Sequence, residues 1–191
     1  MKNKIFTIEN YLESYRNLIE KVNIGEIENA IDLIKDMINK KKSIYTCGNG
    51  GSAHTASHFI TDWKKMYNLA TGEKMYSHAL TDNLGLITAY ANDVNYDDIF
   101  SEQLKPVLNE DDLVICISGS GNSKNILKAI EYANSVNAVT LGILGYDGGQ
   151  AIKKCKYNVL VNCFDMQLVE DFHLQIGHMV MKSICNTEIK N

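Results

Sequence analysis

Ile44-Tyr45-Thr46-Cys47-Gly48-Asn49-Gly50-Gly51-Ser52-Ala53-His54-Thr55-Ala56-Ser57-His58-Phe59-Ile60-Thr61-Asp62 runs from a β-prone segment through a glycine-rich turn into a helical pattern. Strand, tight turn and helix in direct succession form the unit from which parallel α/β folds are built. Ser52 is the expected N-cap of the helix, its hydroxyl accepting an orphan N–H of the first turn. The glycines permit positive φ and let a ligand approach the backbone. The helix start then offers N–H groups and a positive dipole end to an anion or a sugar hydroxyl. His58 and Asp62 lie four residues apart, so an imidazole and a carboxylate share one helix face beyond the ligand loop.

Further along, a second unit follows the same logic with different residues. Leu113-Val114-Ile115-Cys116-Ile117 is a continuous apolar run, as expected of a central parallel strand covered on both faces. Ser118-Gly119-Ser120-Gly121-Asn122-Ser123 follows it, and a helix is predicted from Lys124 to about Ser135. Other strands are expected at Met75 to Leu80, Val139 to Leu144 and Asn158 to Val161. The stretch from Leu84 to Tyr90 fits strand or helix; its apolar spacing, with Asp82 as a cap, selects helix, and Asn92-Asp93 ends it in a polar turn. Tyr96 to Leu104, Gln150 to Lys154 and Met166 to Cys185 read as helices. Alternation of this kind predicts a three-layer α/β/α sandwich around a parallel sheet.

Two amphipathic helices precede the first strand. One spans about Thr7 to Asn23; the other carries Ile27, Ala30, Ile31, Ile34, Met37 and Ile38 and closes on Lys40-Lys41-Lys42. Both cannot cover one small sheet, so the first is expected to pack in an oligomer. Residues 1–191 are expected to form one domain, with 1–40 as its helical extension.

Composition narrows the function classes. The 191 residues, 45% of them apolar, suffice for a proper core. A formal charge of −4 leaves no basic footprint for nucleic acid. Five cysteines without a CxxC indicate neither a zinc ribbon nor a disulfide framework, and fit reduced thiols in a cytoplasm. Met1-Lys2-Asn3-Lys4 is basic, but Glu9 and Glu13 soon interrupt any apolar run, and no stretch approaches the ~18 apolar residues of a membrane span. The expectation is a soluble cytoplasmic protein.

Chemistry concentrates in three places. Ser118, Ser120 and Ser123, interleaved with glycines where a strand ends and a helix opens, suit a phosphate monoester. The loop is neither a Walker motif nor a dinucleotide fingerprint, and its plain alternative is a serine-capped turn. On the last predicted helix, Glu170, His173 and His178 stand among apolar neighbours, where such groups are costly unless paired, ligated or catalytic. His173 reads as a satisfied core group. Glu170 and His178 share a helix face only loosely, and could join His58 and Asp62 around a divalent ion if the two helices pack together.

Cys47-Gly48-Asn49-Gly50-Gly51-Ser52-Ala53 with His58 after it, Asn92-Asp93, Ser118 to Ser123 and His178 together resemble the phosphoheptose isomerase family of the sugar isomerase (SIS) fold. The resemblance covers nearly the whole chain. It implies a flavodoxin-like sandwich with a five-stranded parallel sheet behind two leading helices, and a homotetramer. It also implies that Asn49, Gly50 and Gly51 contact the sugar, that Asn92 and Asp93 line the site, and that Ser118, Gly119, Ser120 and Ser123 hold the phosphate. His58, Asp62, Glu170 and His178 fall on the family's metal ligands, with zinc the expected ion, Asp62 and His178 catalytic and Glu170 also near substrate. Asp62 stands where the family has glutamate and Glu170 where it has glutamine. Gln167-Leu168 replaces a usual Asp-Arg pair, Thr55 an aspartate and Met66 an arginine.

The implied activity is ketose–aldose isomerisation of D-sedoheptulose 7-phosphate to D-glycero-D-manno-heptose 7-phosphate, supplying heptose for a surface glycan. Isomerisation of another phosphosugar, and a SIS protein that binds a phosphosugar or a protein without turnover, are the competing readings.

Overall fold

A computed structural model describes residues 6–188; the basic Met1–Lys4 start lies outside them. Among the described residues, two helices, α1 (Ile8–Ile19) and α2 (Ile24–Asn39), lead into β1 (Ile44–Gly48). There follow α3 (Gly51–Thr71), β2 (Ser77–Ala79), α4 (Leu84–Asp93), a 3-10 turn Tyr96–Asp98 and α5 (Ile99–Leu104). The remainder is β3 (Leu113–Ser118), α6 (Lys124–Ser135), β4 (Val139–Gly145), a 3-10 turn Ala151–Lys153, β5 (Tyr157–Val161) and α7 (Met166–Ile184). The sheet is parallel throughout, in the order β2-β1-β3-β4-β5. Its direction of winding reverses between β1 and β3, where ligands of open α/β sheets sit.

The strands at the centre are apolar on both sides because both sides are covered. Ile44, Leu113, Ile115, Leu141 and Val159 face a core built with α2, α3 and α7. Tyr45, Cys47, Val114 and Cys116 face a second core with α5 and α6. Cys47 and Cys116 are paired across β1 and β3 with their sulfurs 3.6 Å apart, and all five cysteines are free thiols. No helix of the described residues is long and apolar enough to cross a membrane.

Of the two leading helices, α2 is fully engaged, burying Ile27, Ala30, Ile34, Met37 and Ile38. By contrast, α1 buries only Leu18. Thr7 caps it, accepting the Asn10 N–H at 3.0 Å, and Tyr11 anchors it by donating to Asp171 of α7 at 2.5 Å.

Two capping expectations are corrected. The first helix turn of α3 begins at Gly51 behind Gly50, whose φ of +55° only glycine adopts cheaply, and Ser52 is already inside the helix. For α4 the cap is Asn83, which accepts the Leu86 N–H at 3.0 Å. Asp82 instead accepts from the Ser57 hydroxyl at 2.5 Å. Asn92-Asp93 is the last turn of α4 rather than the turn after it.

His173 is buried, as a core group should be, but neither ring nitrogen finds a well-formed hydrogen bond. Burial pushes its imidazole down to about 4, with the Leu144 backbone opposing more weakly. The folded chain therefore holds His173 neutral while an unfolded chain protonates it near its ordinary 6.5. Its contribution to stability is complete above pH 6.5 and is lost as pH falls toward 4, by about 3 kcal/mol in all. His173→Leu should remove that part of the acid sensitivity. Urea unfolding of both proteins at pH 7 and pH 4.5 checks it, and parallel losses would show that His173 does not carry the effect.

Candidate active site

The loops after β1 and β3 lie side by side, because Gly48 pairs with Ile117 at the ends of adjacent strands. In the first loop Asn49 is half-buried while Gly50 and Gly51 are exposed, and no side chain caps the start of α3. Glu170 occupies that place: a side chain at Gly51 would put its first carbon 2.6 Å from Glu170 Oε1. A carboxylate there is favoured by the dipole of α3.

The second loop is tied back on itself. Ser118 Oγ accepts the Gly121 N–H at 3.0 Å, and Ser120 Oγ accepts the Asn122 N–H at 3.3 Å. Ser123 precedes α6 without a side-chain cap bond. The turn after β4 braces this loop from behind. Ala151 N–H donates to the Gly121 carbonyl at 3.0 Å and Gln150 N–H to Asn122 Oδ1 at 3.1 Å. Gly121 has φ +63°, and any side chain there would strike the Gly148 carbonyl.

Helices α3 and α7 follow parallel strands and run in the same sense. Gly51 meets Glu170 near their starts, and Phe59 and Trp63 meet Gly177 further along. Gly177 is decisive for the approach, since a methyl there would lie 2.1 Å from the Phe59 ring, and the Trp63 indole N–H donates to its carbonyl at 2.8 Å. One residue on, His178 Nε2 stands 3.0 Å from His58 Nε2. Asp62 Oδ2 lies 3.3 Å from His58 Nε2 and 3.8 Å from His178 Nε2. The imidazole pair is satisfied when one Nε2 carries a proton and the other accepts it.

Two imidazole nitrogens and a carboxylate oxygen within 4.8 Å of one another form the metal-capable group found among the described residues. This donor set fits zinc or a similar divalent ion, and three protein ligands with an open position is the pattern of catalytic sites. Two nitrogens on one tetrahedral zinc stand roughly 3.3 Å apart, so the 3.0 Å pair needs to open by only a few tenths.

A family model of the SIS domain matches residues 10–145. The phosphoheptose isomerase of Campylobacter concisus is 33% identical over 93% of this chain and 94% of its own. The chain belongs to the phosphoheptose isomerase family. That of Clostridium acetobutylicum is 33% identical over 82% of this chain and 80% of its own. Two solved structures agree in fold. The phosphoheptose isomerase of Neisseria gonorrhoeae superposes with a TM-score of 0.86 at 25% identity, and that of Francisella tularensis with 0.87 at 26%, each covering 94% of this chain and 97% of the other.

Measured against the residues expected from the family, His58, Asp62 and His178 do come together. Glu170 is not in that group; its carboxylate lies against Gly51 at the start of α3. Asn92 and Asp93 are exposed, and Asn92 donates to Asp93 at 2.9 Å. No hydrogen bond or ion pair among the described residues joins either of them to a loop of the site. Thr55 is buried, donating to the Gly51 carbonyl at 3.3 Å, and Met66 packs on the core, so neither supplies the family's charge. Two residues not expected from sequence stand at the site: Asn125 and Tyr96 both bond Asn49. An asparagine two residues after the serine-rich loop was the available signal for the first; nothing local marks the second.

Proposed function

We propose that the protein interconverts a ketose phosphate and an aldose phosphate, with D-sedoheptulose 7-phosphate and D-glycero-D-manno-heptose 7-phosphate as the pair, and supplies heptose for a surface glycan from the cytoplasm. The observation that carries the reading is the meeting of His58, Asp62 and His178 across 120 residues of chain, where α7 packs on the helix α3 that begins at the loop after β1. The names of the relatives agree with it.

In this reading Ser118, Gly119, Ser120 and Ser123 hold the phosphate at the start of α6, and Asn49, Gly50 and Gly51 hold the sugar, with Glu170 beside Gly51. The Asp62 carboxylate takes a proton from the hydroxymethyl carbon beside the ketone, while His178 donates one to the ketone oxygen. An enediol results. Asp62 returns its proton to the former carbonyl carbon and His178 removes the hydroxyl proton at the other, leaving the aldehyde. A divalent ion such as zinc would be held by His58 Nε2, His178 Nε2 and one Asp62 oxygen and would polarise the carbonyl oxygen. A nitrogen on the ion has no proton to give, so the proton steps would then use the second Asp62 oxygen and the other ring nitrogen of His178. Asn92 and Asp93 line the site only if a neighbouring copy or a bound sugar brings α4 over it.

Incubation with candidate ketose phosphates in deuterated water tests the function. One deuterium should enter at the carbon next to the carbonyl, with the heptulose phosphate exchanging fastest. Tight binding without exchange would identify a sugar-binding protein instead.

The same reading makes the protein a homotetramer with α1 packed between copies, while α2 is engaged in the chain's own core. It is supported by Ile8 and Leu12, 72% and 56% exposed on the outer side of α1. Light scattering should report four copies, and removing residues 7–23 should give smaller, aggregation-prone species. A well-behaved monomer of the full chain would contradict it.

A further inference from the structure

Asn125, the second residue of α6, is 2% exposed and has no part in the roles assigned above. Its Oδ1 accepts the backbone N–H of Ile126 at 2.9 Å. A backbone nitrogen can only donate, so this bond decides which end of the Asn125 amide is oxygen. Its Nδ2 therefore faces Asn49 and donates to Asn49 Oδ1 at 2.9 Å. Asn49 Nδ2 donates back to Asn125 Oδ1 at 2.8 Å. A facing pair of amides is symmetric and can flip together; the Ile126 N–H removes that freedom.

The hydroxyl of Tyr96 completes the set, donating to Asn49 Oδ1 at 3.1 Å. Both lone pairs of that oxygen are then filled, and one of the two Asn49 amide protons is committed to Asn125. A single N–H is left over. Asn49 can offer a ligand a donor and nothing else.

We infer that Asn125 is a positioning residue that locks the Asn49 amide as an obligate hydrogen-bond donor toward the sugar, joining the loop after β1 to the loop after β3 across the point where the sheet reverses. The inference rests on the isomerase reading for the identity of the ligand. A fixed donor suits a carbonyl oxygen that gains negative charge on the way to an enediol, and costs no reorganisation at that moment. A flipped amide would present its own oxygen to the same place and oppose the charge. Tyr96 holds the outer side of the lock from an exposed position, so it contributes less than Asn125.

A double-mutant cycle decides whether Asn125 acts through Asn49. Asn49→Ala and Asn125→Ala should each lower kcat by about 10- to 100-fold, and the double variant should lose no more than Asn49→Ala alone. The dissociation constant for inorganic phosphate should stay within about twofold in Asn125→Ala, which a general collapse of the loops would not permit. Tyr96→Phe should lower kcat by about two- to fivefold. Losses that add, or an Asn125→Ala enzyme with full kcat, would overturn the inference. An arm independent of turnover is the side-chain amide of Asn49 by nitrogen-15 NMR of the full-length protein. One of its protons should exchange at least about tenfold more slowly than a free amide. Two freely exchanging protons would overturn the lock even if Asn125→Ala fails to fold. Slow exchange in a protein that turns over no phosphosugar would leave the lock standing and reject the isomerase reading alone.

Discussion

Asp62→Asn and His178→Ala should each lower kcat by about 10²–10⁴-fold, the range lost when a positioned acid or base is removed. Both changes fall on half-exposed side chains, 30% and 45% accessible, so the fold should survive them. Asp62 is the carboxylate within reach of both imidazoles, and no second carboxylate in the cluster can replace it. The protein should hold about one zinc-like ion per chain by elemental analysis, and His178→Ala and Asp62→Ala should lose it together with turnover. Glu170→Gln provides the contrast. Its carboxylate lies over Gly51, outside the three-donor group, so the ion should remain while sugar binding changes. Retained turnover in Asp62→Asn would remove the carboxylate from the mechanism, and absence of any ion after reconstitution would remove the metal.

Ser120→Ala and Ser123→Ala should each weaken binding of the phosphosugar by roughly 10- to 150-fold, the equivalent of one lost hydrogen bond to a charged group. The unphosphorylated sugar should be almost unaffected. Ser123 carries the clearer expectation, because it makes no cap bond and its hydroxyl has no competing role at the start of α6. Ser118 differs from both. It is buried and already accepts the Gly121 N–H, so Ser118→Ala should lower stability as well as phosphate affinity. Calorimetric titration with the sugar and its phosphate separates these cases, and equal losses for the two ligands would reject the phosphate assignment.

Sequence alone determined the elements that local chemistry dictates. The helix read from Lys124 to about Ser135 has those bounds in the structure, because Ser123 and the apolar positions of α6 are near neighbours in the chain. The apolar runs at Leu113 and Val139 became β3 and β4, since a strand covered on both faces has no room for alternation. His58 and Asp62 were legible as a pair for the same reason: four residues bring two side chains to one face of any helix. Where several groups competed for one helix end, local reading failed. Ser52 and Asp82 are sound caps by residue type, but Gly50 precedes α3 and Asn83 caps α4.

What only the tertiary structure decided is which distant groups meet. Gly177 lets α7 close on Phe59, and that contact carries His178 to His58; no pattern within α7 distinguishes this glycine from any other small residue. The placing of Glu170 over Gly51 is likewise a contact between two helices that residue type alone does not give. The Asn49–Asn125 pair exists because β1 and β3 are neighbours although β2 lies between them in sequence. Periodicity records what is near along the chain, whereas these contacts depend on strand order and on how closely two helices pack.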